Sequence, residues 1–442
     1  MSVLEIDLTR FGEPNPDGIC GLEMRVGDAL LTRLVRSGAG AEDTKIRVPA
    51  APLAFWFAEN WWRLRWEPRR SMPSDNWRMA HEMSAIGYGH AWPRVTIWGD
   101  RDRVLLVARA ESPGIAGPVR FLTNAVVFTP GPDFEATLDR FLEQAVGIVP
   151  AADRGALRAL VETLGRERHD TELSRWRRLE AVSGHDPDGA PEALISSLCE
   201  LETRYRSEDV EEAVAAAPGL NAAHTLEAAL EAAEHAAPVD FDRSLHATRL
   251  VSKHVDRLQP WALAEHVAGE LRRDLDWGAR PLLNRALGEL AGVSARLLGN
   301  HTATPPRPYA LRLSRSASHS TVLLTARWAH DRRFQLARAI GDAIWSDNSE
   351  LGPISGLSSS RQKFQRAFAA ALLCPEEGLR EYLGSEDPED TDIAAAARHF
   401  HVNEKTVRTV LVNKRLMERQ RLGQPLSDPL DPSRLDEVAD AA

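Results

Sequence analysis

Arg332-Arg333-Phe334-Gln335-Leu336-Ala337-Arg338-Ala339-Ile340-Gly341-Asp342-Ala343-Ile344-Trp345 is the stretch on which the fold of the C-terminal third turns. It reads as a helix, with Arg338 and Asp342 four apart and so side by side on one face. TVLLTARW at 321–328 reads as a strand before it, and the Gly/Ser-rich 346–360 as a loop after it. A further helix is expected over Arg361-Gln-Lys-Phe-Gln-Arg-Ala-Phe-Ala-Ala-Ala-Leu-Leu-Cys-Pro375. Upstream, WALAEHVAGELRRDLDW and PLLNRALGELAGV read as two amphipathic helices joined by a short turn, so a new unit begins near Pro260. HTATPPRP, from His301, reads as a loop.

The chain has 442 residues, enough for two to four domains. Its 43% hydrophobic and 27% charged content is that of an ordinary globular protein. A formal charge of −10 argues against a protein coated in nucleic acid, while permitting a local basic face. Cys20, Cys199 and Cys374 match no disulfide or metal framework, which points to a reducing compartment. The start, MSVLEIDLTRF, lacks signal-peptide character, and no apolar run reaches the roughly 18–20 residues of a membrane span. A cytoplasmic protein without membrane partners is expected.

Residues 1–132 read as a β-rich domain, from segments such as VLEIDL, TKIRV, RVTIW and RVLLVAR. Gly99-Asp100-Arg101-Asp102 suggests a hairpin. Seven of the twelve tryptophans lie between Trp56 and Trp98, and core packing explains them better than stacking of a flat ligand. His81 and His90 lack zinc spacing and read as structural. Residues 133–257 form a helical connecting region, with Asp133 as a cap and a break over Ser183–Pro191.

In an H-E-x-x-H helix two histidines four apart bind zinc, and the glutamate beside the first polarises the metal-bound water. The apolar frame of 332–345 resembles that helix in the ImmA/IrrE metallopeptidase family. There Arg338 fills the first histidine slot, Ala339 the glutamate slot and Asp342 the second histidine slot. The block 361–375 resembles the family's next helix, keeping Phe368, Ala369, Leu372, Leu373 and Pro375, but 361–366 holds no acidic residue for the third ligand. The resemblance spans 258–421. It implies a mainly helical, zincin-like domain without metal, cofactor or catalytic residues, since water activation needs both a metal and a base. A divalent cation about 5 Å from the Arg338 guanidinium would be repelled by several kcal/mol even at a dielectric of about 20. Three uses of the pair stand open: a salt bridge plugging the relic site, an anion held by Arg338, or a partly solvated helical ion pair, which is favoured.

Residues 392–416 suit a helix-turn-helix, with Ile393, Ala396, Ala397 and Phe400 as one stripe and Asn403 capping a second helix. Arg398, Lys405, Thr406, Arg408, Thr409, Lys414 and Arg415 are its candidate nucleic-acid contacts. From Arg398 to Arg421 seven Lys or Arg stand against two Glu. In ImmA/IrrE proteins a similar helix pair packs on the peptidase helices, which would make the stripe core. Residues 422–442 read as a flexible acidic tail.

The expected architecture is thus α+β and multidomain: a β-rich N-terminal domain, a helical middle and a zincin-like C-terminal domain. The expected function is that of a bacterial-type, inactive ImmA/IrrE-like protein acting on a protein partner, as a regulator, sensor or adaptor in mobile-element or stress control. The rivals are a DNA-binding transcriptional regulator and a metallopeptidase drawing ligands from His301, His319, His330 or His399.

Overall fold

The computed structural model describes residues 3–11, 18–37, 41–70, 72–112, 117–245, 247–254, 259–299, 307–316, 318–345, 349–384 and 388–422. His301 and residues 423–442, most of the acidic tail, lie outside them. The chain divides into two compact units between Ile195 and Ser196, inside the stretch 133–257 rather than at either of its ends.

The N-terminal unit runs β1 (Leu4–Arg10), β2 (Ile19–Val26), β3 (Ala29–Leu30), β4 (Leu34–Arg36), β5 (Glu42–Asp43), β6 (Ile46–Pro49), α1 (Ala50–Glu59), α2 (Trp61–Trp66) and α3 (Asp75–His81). It continues with β7 (Val95–Asp100), β8 (Arg103–Ala108), β9 (Val119–Phe121), β10 (Ala125–Pro130), α4 (Gly131–Ile148), α5 (Ala151–His169) and α6 (Thr171–Val182). Its strands form three small antiparallel sheets: β1 and β6 flank β2, which also pairs β3; β8 lies between β10 and β7; β4 lies between β5 and β9. The β7–β8 hairpin turns at Arg101 and Asp102, with Arg101 left-handed at φ 56°. Trp56, Trp61, Trp62, Trp77, Trp92 and Trp98 are buried, so the tryptophan cluster is core. Asp133 does not cap its helix. α4 begins two residues earlier at Gly131, with Pro130 at the N-cap and Pro132 in the first turn, where a missing N–H costs no hydrogen bond.

α7 (Glu192–Arg204) carries the division. The C-terminal unit continues with α8 (Ser207–Ala216), α9 (Ala222–Glu234), β11 (Ala237–Asp240), α10 (Asp242–Leu245), α11 (Thr248–His254), α12 (Pro260–Asp274), α13 (Asn284–Leu290), β12 (Ala310–Ser314) and β13 (His319–Leu323). It ends with α14 (Ala329–Trp345), β14 (Leu351–Ile354), α15 (Ser360–Leu373), α16 (Glu376–Leu383), α17 (Asp390–Phe400) and α18 (Glu404–Asn413). One antiparallel sheet, ordered β11-β13-β12-β14, lies in this unit, and α14 packs on both α15 and β14.

Two local expectations shift here. The strand expected over 321–328 starts at His319 and stops at Leu323, because the Gln335 side chain takes the Thr325 and Ala326 N–H groups away from any ladder. The 346–360 stretch is not all loop: Leu351–Ile354 pairs with β12 as an edge strand, the place where a Gly-Pro pair is tolerated. Among the described residues no helix is long and apolar enough to cross a membrane.

Candidate functional site

α14 and α15 meet where Gly341 lets the Phe368 ring approach; a Cβ there would lie 2.8 Å from the ring. This seam aligns Arg338 and Asp342 on α14 with Arg361, Gln362 and Gln365 on α15. Gly352 on β14 admits the Asp342 carboxylate, which would lie 2.0 Å from an added Cβ.

Asp342 is fully buried, and four donors saturate its carboxylate. Arg312 Nε from β12 donates at 2.9 Å, Arg361 Nε and Nη2 at 2.6 and 3.0 Å, and Gln365 Nε2 at 2.7 Å. Burial alone would push this carboxyl up; the Arg361 and Arg312 guanidiniums override that and hold it at about 2. Arg361 also donates to Asp209 Oδ1 on α8 at 2.8 Å, to Ser349 Oγ at 2.7 Å and to the Leu351 carbonyl at 2.7 Å. Burial opposes its charge, but Asp342 and Asp209 raise its pKa above the usual arginine value. Glu212, one turn after Asp209, accepts from Ser359 Oγ at 2.7 Å and Gln362 Nε2 at 3.1 Å.

Arg338 and Asp342 therefore do not form the partly solvated ion pair expected of them. Both are buried, and each is claimed by α15 instead. Arg338 Nη2 donates to the Ser355 carbonyl at 2.8 Å, Gln362 Oε1 at 2.5 Å and Gln365 Oε1 at 3.1 Å. No carboxylate lies within ion-pair distance of it among the described residues. Burial, and then the Arg366 charge, push its pKa well below the usual arginine value, against the pull of Asp342 and Glu212. Ala339 is buried core.

These residues do not fit a metal. Of Arg338, Asp342 and Arg361, where α14 and α15 meet, two are guanidiniums, and the one carboxylate has no free lone pair to give. Among the described residues no cluster of three His, Cys, Asp or Glu could hold an ion. His319 is exposed near Asp240, His330 sits beside Asp331, and His399 stacks on Tyr382 at 4.2 Å. The structure does not gather them.

The pair α17–α18 forms as spaced, with Asn403 accepting from the Thr406 N–H at 2.7 Å. Its stripe, Ile393, Ala396, Ala397 and Phe400, joins the core of the C-terminal unit. Of the candidate nucleic-acid contacts, Thr406 is buried against Asn403, and Arg408 pairs with Asp390 at 3.1 Å. Lys414 pairs with Glu265 at 2.7 Å and Glu376 at 3.2 Å, and the Thr409 hydroxyl donates to the Lys405 carbonyl. Arg398, Lys405 and Arg415 are exposed. The helix turn is itself tied down by buried Arg333, which donates to the His401 carbonyl at 3.1 Å and also to Asn284 and Leu282.

The N-terminal unit buries a second charged cluster. Glu67 accepts from Arg63 Nε at 2.7 Å and meets His81 Nε2 at 3.0 Å; His81 Nδ1 lies 2.6 Å from the Ile97 carbonyl, and the ring stacks on Trp77. Burial would raise the Glu67 carboxyl, but His81 and then Arg63 lower it. Arg63 Nη1 reaches out to Asp186 at 3.0 Å, and Arg177 Nη1 to Asp188 at 2.8 Å; both carboxylates stand in the 183–191 break and are themselves exposed.

Comparison of the chain with protein-family models, with curated proteins and with solved structures returns no match.

Proposed function

We propose that the C-terminal unit is a catalytically inactive relative of the ImmA/IrrE peptidases and that the chain acts by binding a protein partner. It would serve as a regulator, sensor or adaptor inside a bacterial-type cytoplasm, in mobile-element or stress control. The observation that carries this reading is the Asp342 carboxylate: it stands in the second histidine slot with all its acceptor capacity taken by Arg312, Arg361 and Gln365. A peptidase of this type needs an open coordination position and a base beside it. Ala339 in the glutamate slot supplies no base. Incubation of the full-length chain with zinc and unfolded protein substrates should give no cleavage above that of Asp342→Asn. Zinc-dependent cleavage that Asp342→Asn abolishes would sink the reading.

A second reading rests on Arg398, Lys405 and Arg415, whose exposed charges sit on or just after α17–α18. It assigns this face to DNA phosphates. Duplex binding that weakens steeply with salt and is lost in Lys405→Ala with Arg398→Ala would support it. Absence of binding at low salt removes it.

A further inference from the structure

In the N-terminal unit, the register of the sheet formed by β1, β2 and β6 places Thr9 and Arg47 on either side of Gly21. Gly21 has no side chain, and the Phe11 ring lies over the space this leaves: an added Cβ would stand 2.8 Å from the ring's Cζ. The Arg47 guanidinium stands over that ring, 4.8 Å from its centroid. The Lys45 stem lies beside the same glycine, and β4 and β5 bring Arg36 and Asp43 alongside. Phe11, Arg36, Asp43, Lys45 and Arg47 together line a cavity of about 380 Å³, partly open to solvent.

The three cations of this lining differ in how they are held. Arg36 Nε and Nη2 donate to Asp43 Oδ2 at 3.2 and 3.0 Å. Lys45 Nζ donates to Thr9 Oγ1 at 2.7 Å and to Asp7 Oδ2 at 3.2 Å, which leaves it a third N–H. The other Asp43 oxygen accepts the Lys45 N–H at 3.1 Å; that bond, and after it Arg36, hold the carboxyl below its usual range against the pull of burial. The one acid of the lining is thus occupied by the protein itself. Glu23, beside Asp7, is matched by Arg25 at 3.5 Å. Arg47 is exposed, and among the described residues no carboxylate lies within ion-pair distance of it. Its guanidinium therefore carries an uncompensated charge at the mouth of the cavity, and its N–H groups are open. Phe11 remains 42% exposed, so its ring is a wall of the cavity and not core.

We propose that this cavity binds a small oxyanion carried on a flat ring, the anion on Arg47 and the ring against Phe11. A guanidinium fork matches the paired oxygens of a carboxylate or a phosphate, and the third Lys45 N–H can add to it. The volume lies at the lower end of the roughly 300–1,000 Å³ of small-molecule sites. A nucleoside monophosphate and an aromatic carboxylate share this chemistry. Every residue of the site belongs to the N-terminal unit, so it is independent of the inactive-peptidase reading.

The test is isothermal titration of the full-length chain with adenosine monophosphate and with phenylacetate, against adenosine, phenylacetamide and sodium phosphate. At least one ring anion should saturate at one per chain, more tightly than its neutral counterpart and than phosphate. The tighter of the two identifies the source as nucleotide or aromatic acid. Arg47→Gln should weaken that binding by about tenfold or more, since a charged hydrogen-bonded pair is lost. Phe11→Ser should weaken it by about fivefold and leave the weak response to phosphate unchanged. Both side chains are exposed, and unchanged urea midpoints show that the variants keep the fold. No saturable binding of either ring anion at about millimolar concentration overturns the proposal. So does binding no tighter than that of phosphate, or binding unchanged in Arg47→Gln.

Discussion

The N-terminal unit buries Arg63, Glu67 and His81 beneath its tryptophans, while the C-terminal unit buries Arg312, Asp342 and Arg361 between a sheet and two helices. The first cluster drains to solvent: Arg63 reaches Asp186, whose side chain is 62% exposed, as Arg177, paired with buried Glu167 and Glu180, reaches Asp188, 84% exposed. The second is closed. Its cations and anions terminate on one another, drawn from α8, β12, α14 and α15, with Arg361 at the centre. Loss of one partner in the first can therefore be answered by water, whereas loss in the second strands a charge. What sets the C-terminal cluster apart is that its charges come from four elements and close on one another.

The comparison breaks most readily at Arg361. Arg361→Met leaves Asp342 with Arg312 as its one cation and Asp209 without its guanidinium, and should cost the C-terminal unit about 3–5 kcal/mol. Urea denaturation followed by limited proteolysis should show that unit opening first, with the tryptophan-rich unit still protected. Simultaneous loss of both units would contradict the independence assumed. Glu67→Gln probes the other side: Arg63 keeps Asp186, so the cost should be smaller, about 2 kcal/mol, and confined to the N-terminal unit.

Acid sharpens the contrast. The Asp342 carboxyl lies at about 2 in the fold against 3.8 in the unfolded chain, so its contribution is complete above 3.8 and lost as pH falls toward 2. That contribution is on the order of 2 kcal/mol at neutral pH. Denaturation midpoints of the C-terminal unit should therefore fall over that window, and Asp342→Asn should flatten the slope. The smallest effect belongs to the outlet: Asp186→Ala removes a partner exposed to water and should change stability by less than about 1 kcal/mol.

Much of the helical scaffold was legible because periodicity is a local property. The α14 and α15 windows, the stripe Ile393, Ala396, Ala397 and Phe400, and the Asn403 cap all follow from residues within a few turns of each other. The tryptophan cluster was legible as core for the same reason. The partners of Arg361 were not. Asp209 lies 152 residues away and Glu212 carries no motif, so the window 361–366 showed only that an acid was missing. Helix spacing points to an Arg338–Asp342 pair, which does not form because α15 offers each side chain better-placed partners. β14 is not legible in the sequence because edge strands tolerate the Gly and Pro that elsewhere signal loops.

The closed network around Asp342 leaves that carboxylate no acceptor for a metal. The most direct test of this is elemental analysis of the untagged full-length chain after saturation with zinc and removal of the excess. Far less than one zinc per chain is expected, at the same level in Asp342→Asn. One zinc per chain that disappears in Asp342→Asn would contradict it.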